Sequence, residues 1–463
     1  MKIFLGNKEI IHFVGIGGIG MSGLALIMKV MKFKIQGSDL KKNINTENCK
    51  KKGIKIFYGH SKLNISKATI IVKSSAIKKD NIEIVEAKRK KIPIFDRAEM
   101  LSDIVSLKKN IVISGSHGKT TTTSLIAQIL LKSKLDPTII NGGVIKYLNS
   151  NAKFGKGELT VLEADESDGS FLKLPINYSV VTNIDKEHLD FYKNFSNLKK
   201  AFLLFINKTP PTGKSFVCFD DKNIREILKK VNKKNYFTYG FNKYSDCKID
   251  NVKYLIDKCI FDLKIKYSSK KFKILKRISL NLIGNHNILN ATAAISVCLN
   301  LVIKSKVIKN ALKNFKGVER RMTRIFKKGN NVFYDDYAHH PTEIKAILEG
   351  VKNASSKKIV AVFQPHRYSR LKNLQMEFSK CFQKADKVIL CSVYSAGEKK
   401  DISYNRQKFS DLLTKNSKVH VINIYNENDL KNYFKKVLLN NTIILGLGAG
   451  NISQWIRNLK GKI

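Results

Sequence analysis

"NIVISGSHGKTTTTSLIAQILL", residues 110–131, joins an apolar run, a glycine-rich turn and an amphipathic run. The run from Asn110 to Ser114 predicts a short buried strand, and Thr120 to Leu131 predicts a helix. A strand, a glycine turn and a helix in this order form the usual setting of a phosphate-binding loop, where backbone N–H groups at the helix start face an anion. The stretch therefore predicts an α/β domain that binds the phosphate groups of a nucleotide.

The turn is shorter than the common phosphate-loop pattern, because only Ser116 and His117 separate Gly115 from Gly118. Lys119 is the strongest evidence for a phosphate role, since a lysine at a helix N-terminus opposes the helix dipole unless an anion lies there. The hydroxyl of the next threonine would reach Mg²⁺. The predicted ATP-binding residues of this loop are Gly115, Ser116, His117, Gly118, Lys119, Thr120 and Thr121.

A second glycine motif, Gly15-Ile16-Gly17-Gly18-Ile19-Gly20, lies between a predicted strand and a predicted helix. Asp39 follows at the end of the next predicted strand. This pattern is typical of a dinucleotide site, but any diphosphate, including that of a nucleotide sugar, satisfies the same physical requirements. An NAD-dependent dehydrogenase is one alternative, although it leaves the loop at Gly115 without a function.

Two further groups of polar residues follow predicted strands of the second α/β series. Glu163, Asp165, Glu166 and Asp168 end one strand, and His188 follows another. Clustered carboxylates repel each other unless they share a cation, and hard oxygen ligands suit Mg²⁺. Because ligands of open α/β sheets bind at the carboxyl ends of the strands, we expect Lys119, Glu163 and His188 to lie together.

The last third of the chain carries "YDDYAHHPTE" (334–343) and "FQPHRYSR" (363–370), again after predicted strands. Paired acids beside paired histidines are compatible with a metal site, and spaced arginines are compatible with a carboxylate or phosphate clamp. Salt-bridged surface loops are the alternative for both. Their common position after strands favours one shared cleft.

Alternating strands and helices predict an α/β protein with three domains, at residues 1–106, 107–318 and 319–463. Between about 213 and 282 the strands become short and lysine-rich, which indicates an antiparallel extension of the central sheet. The sequence has no internal repeat that would suggest a solenoid.

The net charge of +48 raises the alternative of a nucleic-acid-stimulated ATPase. The lysines are spread along the whole chain, however, and no clustered basic and aromatic motif accompanies them. We therefore expect no nucleic-acid partner. The seven cysteines include no CxxC pair, and no long apolar run is present, so the sequence predicts a cytoplasmic protein without a membrane partner.

Taken together, these motifs resemble the ATP-dependent Mur ligases, most closely the branch that adds L-alanine to UDP-N-acetylmuramate. The resemblance covers nearly the whole chain, through "HFVGIGGIGMSG", "SSAI", "GSHGKTTT", "EADESDGSF", "HLDFY", "GNHNILNA", "DDYAHHPTE", "FQPHRYSR", "VYSAGE" and "LGAGNIS". It implies a Rossmann-like UDP-binding first domain, a P-loop ATPase-like central domain with a mostly parallel sheet, and a Rossmann-like third domain that binds the amino acid. A monomer or weak homodimer is expected.

The resemblance also implies a role for each matching position. Additional ATP-binding residues would be His286, Asn287, Asn290, Arg321 and Asp336. Ligands of Mg²⁺ would be Thr120, Glu163 and His188. The UDP-sugar would be bound by Gly15, Gly17, Gly18, Ile19, Gly20, Asp39, Ser74 and Ser75. The amino acid would be bound by Tyr337, His339, His366, Arg367 and Arg370.

The implied reaction is ATP-dependent amide formation between L-alanine and the lactyl carboxylate of UDP-N-acetylmuramate, through an acyl phosphate, in peptidoglycan precursor synthesis. Lys119, His188 and Asp336 are the implied catalytic residues. His188, His339 and Asp336 are all candidates for the base that deprotonates the amine. The nearest rival within the family is a murein-peptide ligase, which joins a tripeptide to the same sugar nucleotide.

Overall fold

The computed structural model describes residues 9–232, 235–267, 271–437 and 440–463. They form an α/β protein with three sheets, and this confirms the fold class expected from the sequence. Within these ranges no helix is both long and apolar enough to cross a bilayer.

The first sheet has five parallel strands in the order β3-β2-β1-β4-β5. The strands are β1 (Ile10–Val14), β2 (Lys34–Asp39), β3 (Lys55–Tyr58), β4 (Ile70–Lys73) and β5 (Ile94–Asp96). The helices are α1 (Ile19–Val30), α2 (Ile44–Lys51), α3 (Ile82–Arg89) and α4 (Arg97–Val105). The strand order reverses direction between β1 and β4, and open α/β sheets bind ligands at such a point. The first glycine motif follows β1 and therefore begins at this position.

The second sheet has ten strands in the order β15-β14-β13-β12-β11-β10-β6-β9-β7-β8. The strands are β6 (Lys109–Ser114), β7 (Thr138–Ile145), β8 (Ser150–Lys153), β9 (Leu159–Glu163), β10 (Tyr178–Val181), β11 (Lys214–Cys218), β12 (Tyr236–Gly240), β13 (Cys247–Leu255), β14 (Lys258–Lys266) and β15 (Phe272–Leu280). The helices are α5 (Lys119–Lys132), α6 (Leu189–Tyr192), α7 (Phe195–Asn207), α8 (Lys222–Leu228), α9 (Asn285–Asn300) and α10 (Ser305–Lys313).

Burial explains why β6 and α5 flank the phosphate loop. Five consecutive residues of β6 after Lys109 are buried, as expected for a central parallel strand covered on both faces. Along α5, Leu125, Ile126 and Ile129 are at most 1% exposed. The strand and the helix thus anchor both ends of the loop in the core.

The antiparallel extension begins later than the sequence indicated. β11 and β12 still pair in parallel with their neighbours, and the buried run of β11 is typical of a parallel strand. Beyond β12, Lys266 N–H at the end of β14 donates to Asp246 O just before β13, so these two strands run antiparallel. β14 alternates buried and partly exposed residues, the pattern of a sheet with one solvated face.

The third sheet has six strands in the order β16-β17-β21-β18-β19-β20, with β16 antiparallel to β17. The strands are β16 (Thr323–Lys328), β17 (Asn331–Asp336), β18 (Lys358–Phe363), β19 (Lys387–Leu390), β20 (His420–Asn423) and β21 (Thr442–Leu447). The helices are α11 (Pro341–Ala354), α12 (Tyr368–Asn373), α13 (Gln375–Lys380), α14 (Arg406–Ser417), α15 (Glu427–Lys436) and α16 (Ile452–Asn458). Two separate apolar clusters use alternate residues of β18, such as Phe363 and Val362, so helices cover both faces.

The chain divides into two compact units. The first comprises Met1–Asn251, Phe261–Ile278 and Leu289–Lys316, and the second comprises Val252–Ile260, Ser279–Ile288 and Gly317–Ile463. The first unit holds the first sheet and most of the second, and the second unit holds the third sheet. The three domain limits drawn from the sequence stay a prediction.

Candidate active site

The loop between β6 and α5 is fixed by residues that follow β10. Ser116 N–H donates to Asn183 O at 3.1 Å, and His117 N–H donates to Asn183 Oδ1 at 2.8 Å. Gly115 has φ +132° and Gly118 has φ +84°, a region that favours glycine. A Cβ on Gly118 would also lie 2.5 Å from Asn290 Oδ1. The short turn is therefore a preformed structure that excludes side chains at both glycines.

Lys119 is held by a buried carboxylate. Its Nζ lies 3.0 and 2.8 Å from the two carboxylate oxygens of Glu166, which is 1% exposed. It also donates to Gly115 O at 2.6 Å and to Ser116 O at 3.2 Å. Burial alone would lower the pKa of Lys119, but the carboxylates of Glu166, Asp165 and Glu163 outweigh it and raise the pKa. Lys119 is thus a permanent cation inside the loop.

Thr120 and Glu163 are in direct contact at the start of α5. Thr120 Oγ1 donates to Glu163 Oε1 at 3.1 Å, and the backbone N–H of Gly142 donates to Glu163 Oε2 at 2.7 Å. A Cβ on Gly142 would lie 2.5 Å from the carboxylate, so any larger residue there would displace the carboxylate of Glu163. The hydroxyl and carboxylate oxygens at the start of α5 form a donor set that suits a hard cation.

His188 contacts Glu166, which the sequence identified only as one acid of a cluster. His188 Nε2 lies 3.6 Å from Glu166 Oε1 and 4.0 Å from Glu187 Oε2. Its backbone is left-handed, with φ +56°, and this turns the side chain toward the buried acids. Burial would lower the pKa of His188, but the hydrogen bond and charge of Glu166 raise it. Glu166 therefore joins Lys119 and His188 electrostatically.

The asparagines of "NHNILN" divide between the two compact units. Asn290 belongs to the first unit and lies at Gly118. His286 and Asn287 belong to the second unit, where Asn287 Nδ2 contacts His286 Nε2 at 3.0 Å. Burial lowers the pKa of His286 to about 4. His286 is therefore a neutral imidazole at physiological pH.

The first glycine motif forms a tight loop closed by Asp39. Gly15 has φ +81°, and the N–H groups of Gly15 and Ile16 both donate to Ser38 O. Gly17 N–H donates to Asp39 Oδ2 at 2.8 Å. Gly18, Ile19 and Gly20 lead into α1. This is the geometry expected for a phosphate-binding loop at a helix N-terminus.

Ser74 lies against this loop, whereas Ser75 is exposed. Ser74 N–H donates to Val14 O at 3.2 Å, and its Cβ would be 3.4 Å from a Cβ on Gly15.

Sequence reasoning missed Arg97, the first residue of α4. Its Nη1 would lie 3.3 Å from a Cβ on Gly20. The available signal was its position directly after β5, at the carboxyl edge of a parallel sheet.

Within the second unit, Asp336 organises the backbone at the end of β17. Its Oδ2 accepts the N–H of Met322 at 2.7 Å, and its Oδ1 accepts the N–H of Ala338 at 2.8 Å. Burial raises the pKa of Asp336 to about 6, although the positive charge of Arg321 opposes this. Arg321 Nη1 lies 3.7 Å from Glu343 Oε1.

Four of the five residues predicted to bind the amino acid form one aromatic and cationic cluster. The rings of Tyr337 and His339 lie 5.3 Å apart, and those of His339 and His366 lie 5.7 Å apart. Arg370 Nη1 lies 3.1 Å from His366 Nδ1. Tyr394, which was not predicted, stacks on His366 at 5.6 Å.

Arg367 is exposed and differs from its four predicted partners. Its backbone has φ +70°, and its N–H donates to Tyr394 O at 2.8 Å. Arg320, also not predicted, places its guanidinium 4.8 Å from the Tyr337 ring and donates to Gly448 O at 2.7 Å. It thus ties the turn after β21 to the aromatic cluster.

Family models match almost the entire chain. Residues 10–109 match "Mur ligase family, catalytic domain", 113–298 match "Mur ligase middle domain", and 320–450 match "Mur ligase, glutamate ligase domain". The chain belongs to the Mur ligase family. The family expected from the motifs is thereby confirmed, and the protein is a ligase.

Two relatives resemble this Mur ligase over nearly their full length. UDP-N-acetylmuramate–L-alanine ligase of Pelagibacter ubique is 53% identical over 460 residues, covering 99% of both chains. The enzyme of the same name from Brachyspira hyodysenteriae is 46% identical over 466 residues, covering 99% of this chain and all of the other.

Solved structures agree with the fold. UDP-N-acetylmuramate–alanine ligase from Thermotoga maritima superposes with a TM-score of 0.82 at 30% identity, covering 97% of this chain and 98% of the other. A murein peptide ligase from Psychrobacter arcticus superposes with a TM-score of 0.72 over 98% of both chains. Its identity is 21%, so this second likeness concerns the fold alone.

Proposed function

We propose that this Mur ligase joins L-alanine to the lactyl carboxylate of UDP-N-acetylmuramate and converts ATP to ADP and phosphate in the same reaction. The product would enter peptidoglycan precursor synthesis, and so cell wall biogenesis, cell shape and cell division. Relatives of 53% and 46% identity that carry this activity in their names support the choice of substrates. The observation that supports the chemistry is the pair of contacts at the start of α5, where Lys119 binds Glu166 and Thr120 donates to Glu163.

The domain roles form part of the same proposal. Residues 1–106 would bind the UDP-sugar through the Gly15–Gly20 loop, 107–318 would bind ATP, and 319–463 would bind L-alanine. Asn290 would contact ATP from beside Gly118. The residues His286, Asn287, Arg321 and Asp336 are also proposed to bind ATP.

A carboxylate is a poor acyl donor, so the sugar acid must first attack the γ-phosphate of ATP to form an acyl phosphate. Negative charge develops on the transferred phosphoryl group, and fixed positive charges stabilise it most. Lys119 already lies inside the loop as a cation, so it needs only to exchange its loop-carbonyl contacts for phosphate oxygens. The N–H groups from Gly115 to Thr121 would hold the remaining phosphates.

The oxygens of Thr120 and Glu163 fit Mg²⁺, and His188 beside Glu166 and Glu187 provides further donors within 4.8 Å of one another. When bound, Mg²⁺ would neutralise phosphate charge. The N–H of Gly142 would hold the carboxylate of Glu163 in place. The carboxylate of Glu166 would keep Lys119 and His188 oriented.

The amine of L-alanine then attacks the acyl carbon, and phosphate leaves. The amine is mostly protonated at neutral pH, so a base must accept its proton. Asp336 uses both carboxylate oxygens to hold backbone N–H groups. His339 Nδ1 lies 3.0 Å from Tyr337 O and 3.5 Å from Glu343 Oε2, and His188 lies beside Glu166. His188, His339 and Asp336 therefore all stay candidates for the base.

Phosphate release with UDP-N-acetylmuramate, ATP and Mg²⁺ tests the function directly. Release should require an amino acid and be fastest with L-alanine, and mass spectrometry should find the sugar nucleotide extended by one alanine. A tripeptide, glycine and serine are the comparison substrates. Turnover with the tripeptide alone would identify a murein-peptide ligase and overturn the proposal.

The proposed setting is the cytoplasm, with small-molecule substrates and neither nucleic-acid nor membrane partners, as a monomer or weak homodimer. The charge of +48 motivates one specific check. ATP turnover should not rise when duplex DNA or RNA is added at low salt, whereas a nucleic-acid-stimulated ATPase would respond strongly.

Arg97→Ala should raise the KM for UDP-N-acetylmuramate about 10- to 100-fold, the usual value of a charge-assisted hydrogen bond to a phosphate. Arg97 packs against Gly20 at the start of α1. The KM for ATP should change less than about twofold, and Arg97→Lys should retain part of the affinity. Lys88→Ala, an exposed charge on α3, is the control. Equal changes in both KM values would contradict a diphosphate contact.

Arg370→Ala should raise the KM for L-alanine at least about tenfold, because an arginine fork that binds a carboxylate cannot be replaced by water at equal strength. Its guanidinium lies beside His366 in the aromatic and cationic cluster. Steady-state kinetics with each substrate varied in turn provide the measurement. Lys372→Ala, exposed on the same helix, should leave all three KM values unchanged. A parallel rise in the KM for ATP would rule out a dedicated carboxylate clamp.

A further inference from the structure

The hairpin of β7 and β8 contacts elements that carry both glycine loops of the first compact unit. On one strand, Asn151 Nδ2 of β8 donates to the backbone O of Ile19, the first residue of α1, at 2.7 Å. On the other strand, Gly142 N–H of β7 donates to Glu163 Oε2 at 2.7 Å. The hairpin therefore links the helix start of the Gly15–Gly20 loop to the carboxylate that holds Thr120.

A second set of contacts joins the hairpin to α5. Asn141, which is 1% exposed, donates from Nδ2 to Ser124 Oγ at 3.0 Å. Ser124 Oγ in turn donates to Thr120 O at 2.7 Å. Both the side chain and the carbonyl of Thr120 are thus connected to β7. A shift of Thr120 or Glu163 would be transmitted to the hairpin by hydrogen bonds, and those through Ser124 and Asn141 are buried.

Two local features permit this arrangement, one in the hairpin and one on α1. The pairing of β7 with β8 shifts register between Ile140 and Ile145, and this departure from the ladder turns Gly142 N–H toward Glu163. On α1, a Cβ at Gly23 would lie 3.0 Å from Asn151 Nδ2 and 3.4 Å from Ala152 Cβ. A glycine in the middle of a helix is unfavourable unless close approach requires it, and here it admits the hairpin.

We infer that Asn151 is a positioning residue for the Gly15–Gly20 loop, and that the β7–β8 hairpin makes binding of the sugar nucleotide and of ATP mutually dependent. This rests on the proposed function, since the two ligands are the ones assigned there. When ATP and Mg²⁺ bind, the contacts of Thr120 and Glu163 change, and the β7–β8 hairpin moves with these two residues. Through its hydrogen bond to Ile19 O, Asn151 then shifts the start of α1 and the Gly15–Gly20 loop. By linkage, each ligand must strengthen the other by the same factor.

Calorimetry on the full chain tests the inference. The affinity for UDP-N-acetylmuramate is measured with and without a non-hydrolysable ATP analogue and Mg²⁺. In the wild type the analogue should tighten sugar-nucleotide binding at least about fivefold. In Asn151→Ala that factor should fall below about twofold, while the affinity for the analogue alone changes less than about twofold. A reduced coupling factor together with an unchanged affinity for the analogue alone distinguishes lost coupling from a general loss of structure.

Asn149→Gly is the matched control, because Asn149 is exposed in the turn of the same hairpin and has φ +49°, which glycine adopts freely. It should keep the full coupling. If Asn151→Ala does not fold, Gly23→Ala perturbs the same contact from α1 and should also reduce the coupling factor.

Three results would overturn the inference alone: no coupling in a wild type that binds both ligands, unchanged coupling in Asn151→Ala or Gly23→Ala, or equal loss in the Asn149→Gly control. A wild type that does not bind UDP-N-acetylmuramate at all would overturn the proposed function, and the inference with it. The two failures are therefore distinguishable from the first titration.

Discussion

Lys119→Ala should lower kcat for phosphate release about 10²- to 10³-fold, the range found when a preorganised charge that stabilises a transition state is removed. The physical reason is the position of Lys119 Nζ, which lies inside the phosphate loop between two backbone carbonyls and Glu166. The affinity for UDP-N-acetylmuramate, measured by calorimetry, should remain within about twofold, because that ligand is assigned to the other glycine loop.

The single variant also leaves the carboxylate of Glu166 buried without its cation, which costs about 3–5 kcal/mol of stability when a buried pair is broken. The double variant Lys119→Ala with Glu166→Gln removes that charge and should restore much of the stability but none of the rate. Lys132→Ala, exposed at the other end of α5, is the matched control. Retention of more than about a tenth of the rate in the double variant, a loss of under about 1.4 kcal/mol, would contradict the assigned role.

The parts of the fold that the sequence predicted well are those set by local pattern. The strand expected at Asn110 to Ser114 and the helix expected at Thr120 to Leu131 are β6 (Lys109–Ser114) and α5 (Lys119–Lys132). Apolar periodicity and a glycine turn determine both, without reference to the rest of the chain. The family and the fold class followed from the same kind of ordered motif and are confirmed.

Pairing between acids and bases was harder to predict, because it depends on which way side chains point after a strand ends. Glu163 and Glu166 are three residues apart, yet Glu163 accepts from Thr120 whereas Glu166 binds Lys119 and His188. β9 ends at Glu163, so the alternation that governs a strand no longer applies to Glu166. The sequence predicted that these residues lie close together, but it did not predict which partner each of them contacts.

Contacts between residues that are distant along the chain were not predicted from the sequence. Asn151 contacts Ile19, and Arg97 packs against Gly20, across large separations along the chain and with no motif of their own. Only the closeness of Arg97 to the end of β5 gave a signal. The predicted site roles and domain limits stay predictions, and the variants described above are designed to test the roles one by one.

Glu163→Gln should raise the Mg²⁺ concentration needed for half-maximal activity at least about tenfold and lower kcat about 10²-fold, as expected when a site loses its anionic ligand. Glutamine has nearly the same shape, so Thr120 keeps an acceptor at the start of α5. However, the amide has only one oxygen, and Glu163 now uses two, for Thr120 Oγ1 and for Gly142 N–H. The variant therefore removes the charge and one of two positioning hydrogen bonds together.

Phosphate release measured over a series of Mg²⁺ concentrations at saturating ATP separates the two effects. High Mg²⁺ should recover part of the activity if the lost charge dominates, whereas kcat should stay low at all concentrations if the lost bond to Gly142 dominates. Gly142→Ala isolates the second effect, because its Cβ would lie 2.5 Å from the carboxylate while the negative charge of Glu163 is kept. Glu158→Gln, 84% exposed just before β9, is the control for loss of a negative charge. An unchanged Mg²⁺ dependence in Glu163→Gln would place the metal away from Thr120 and Glu163.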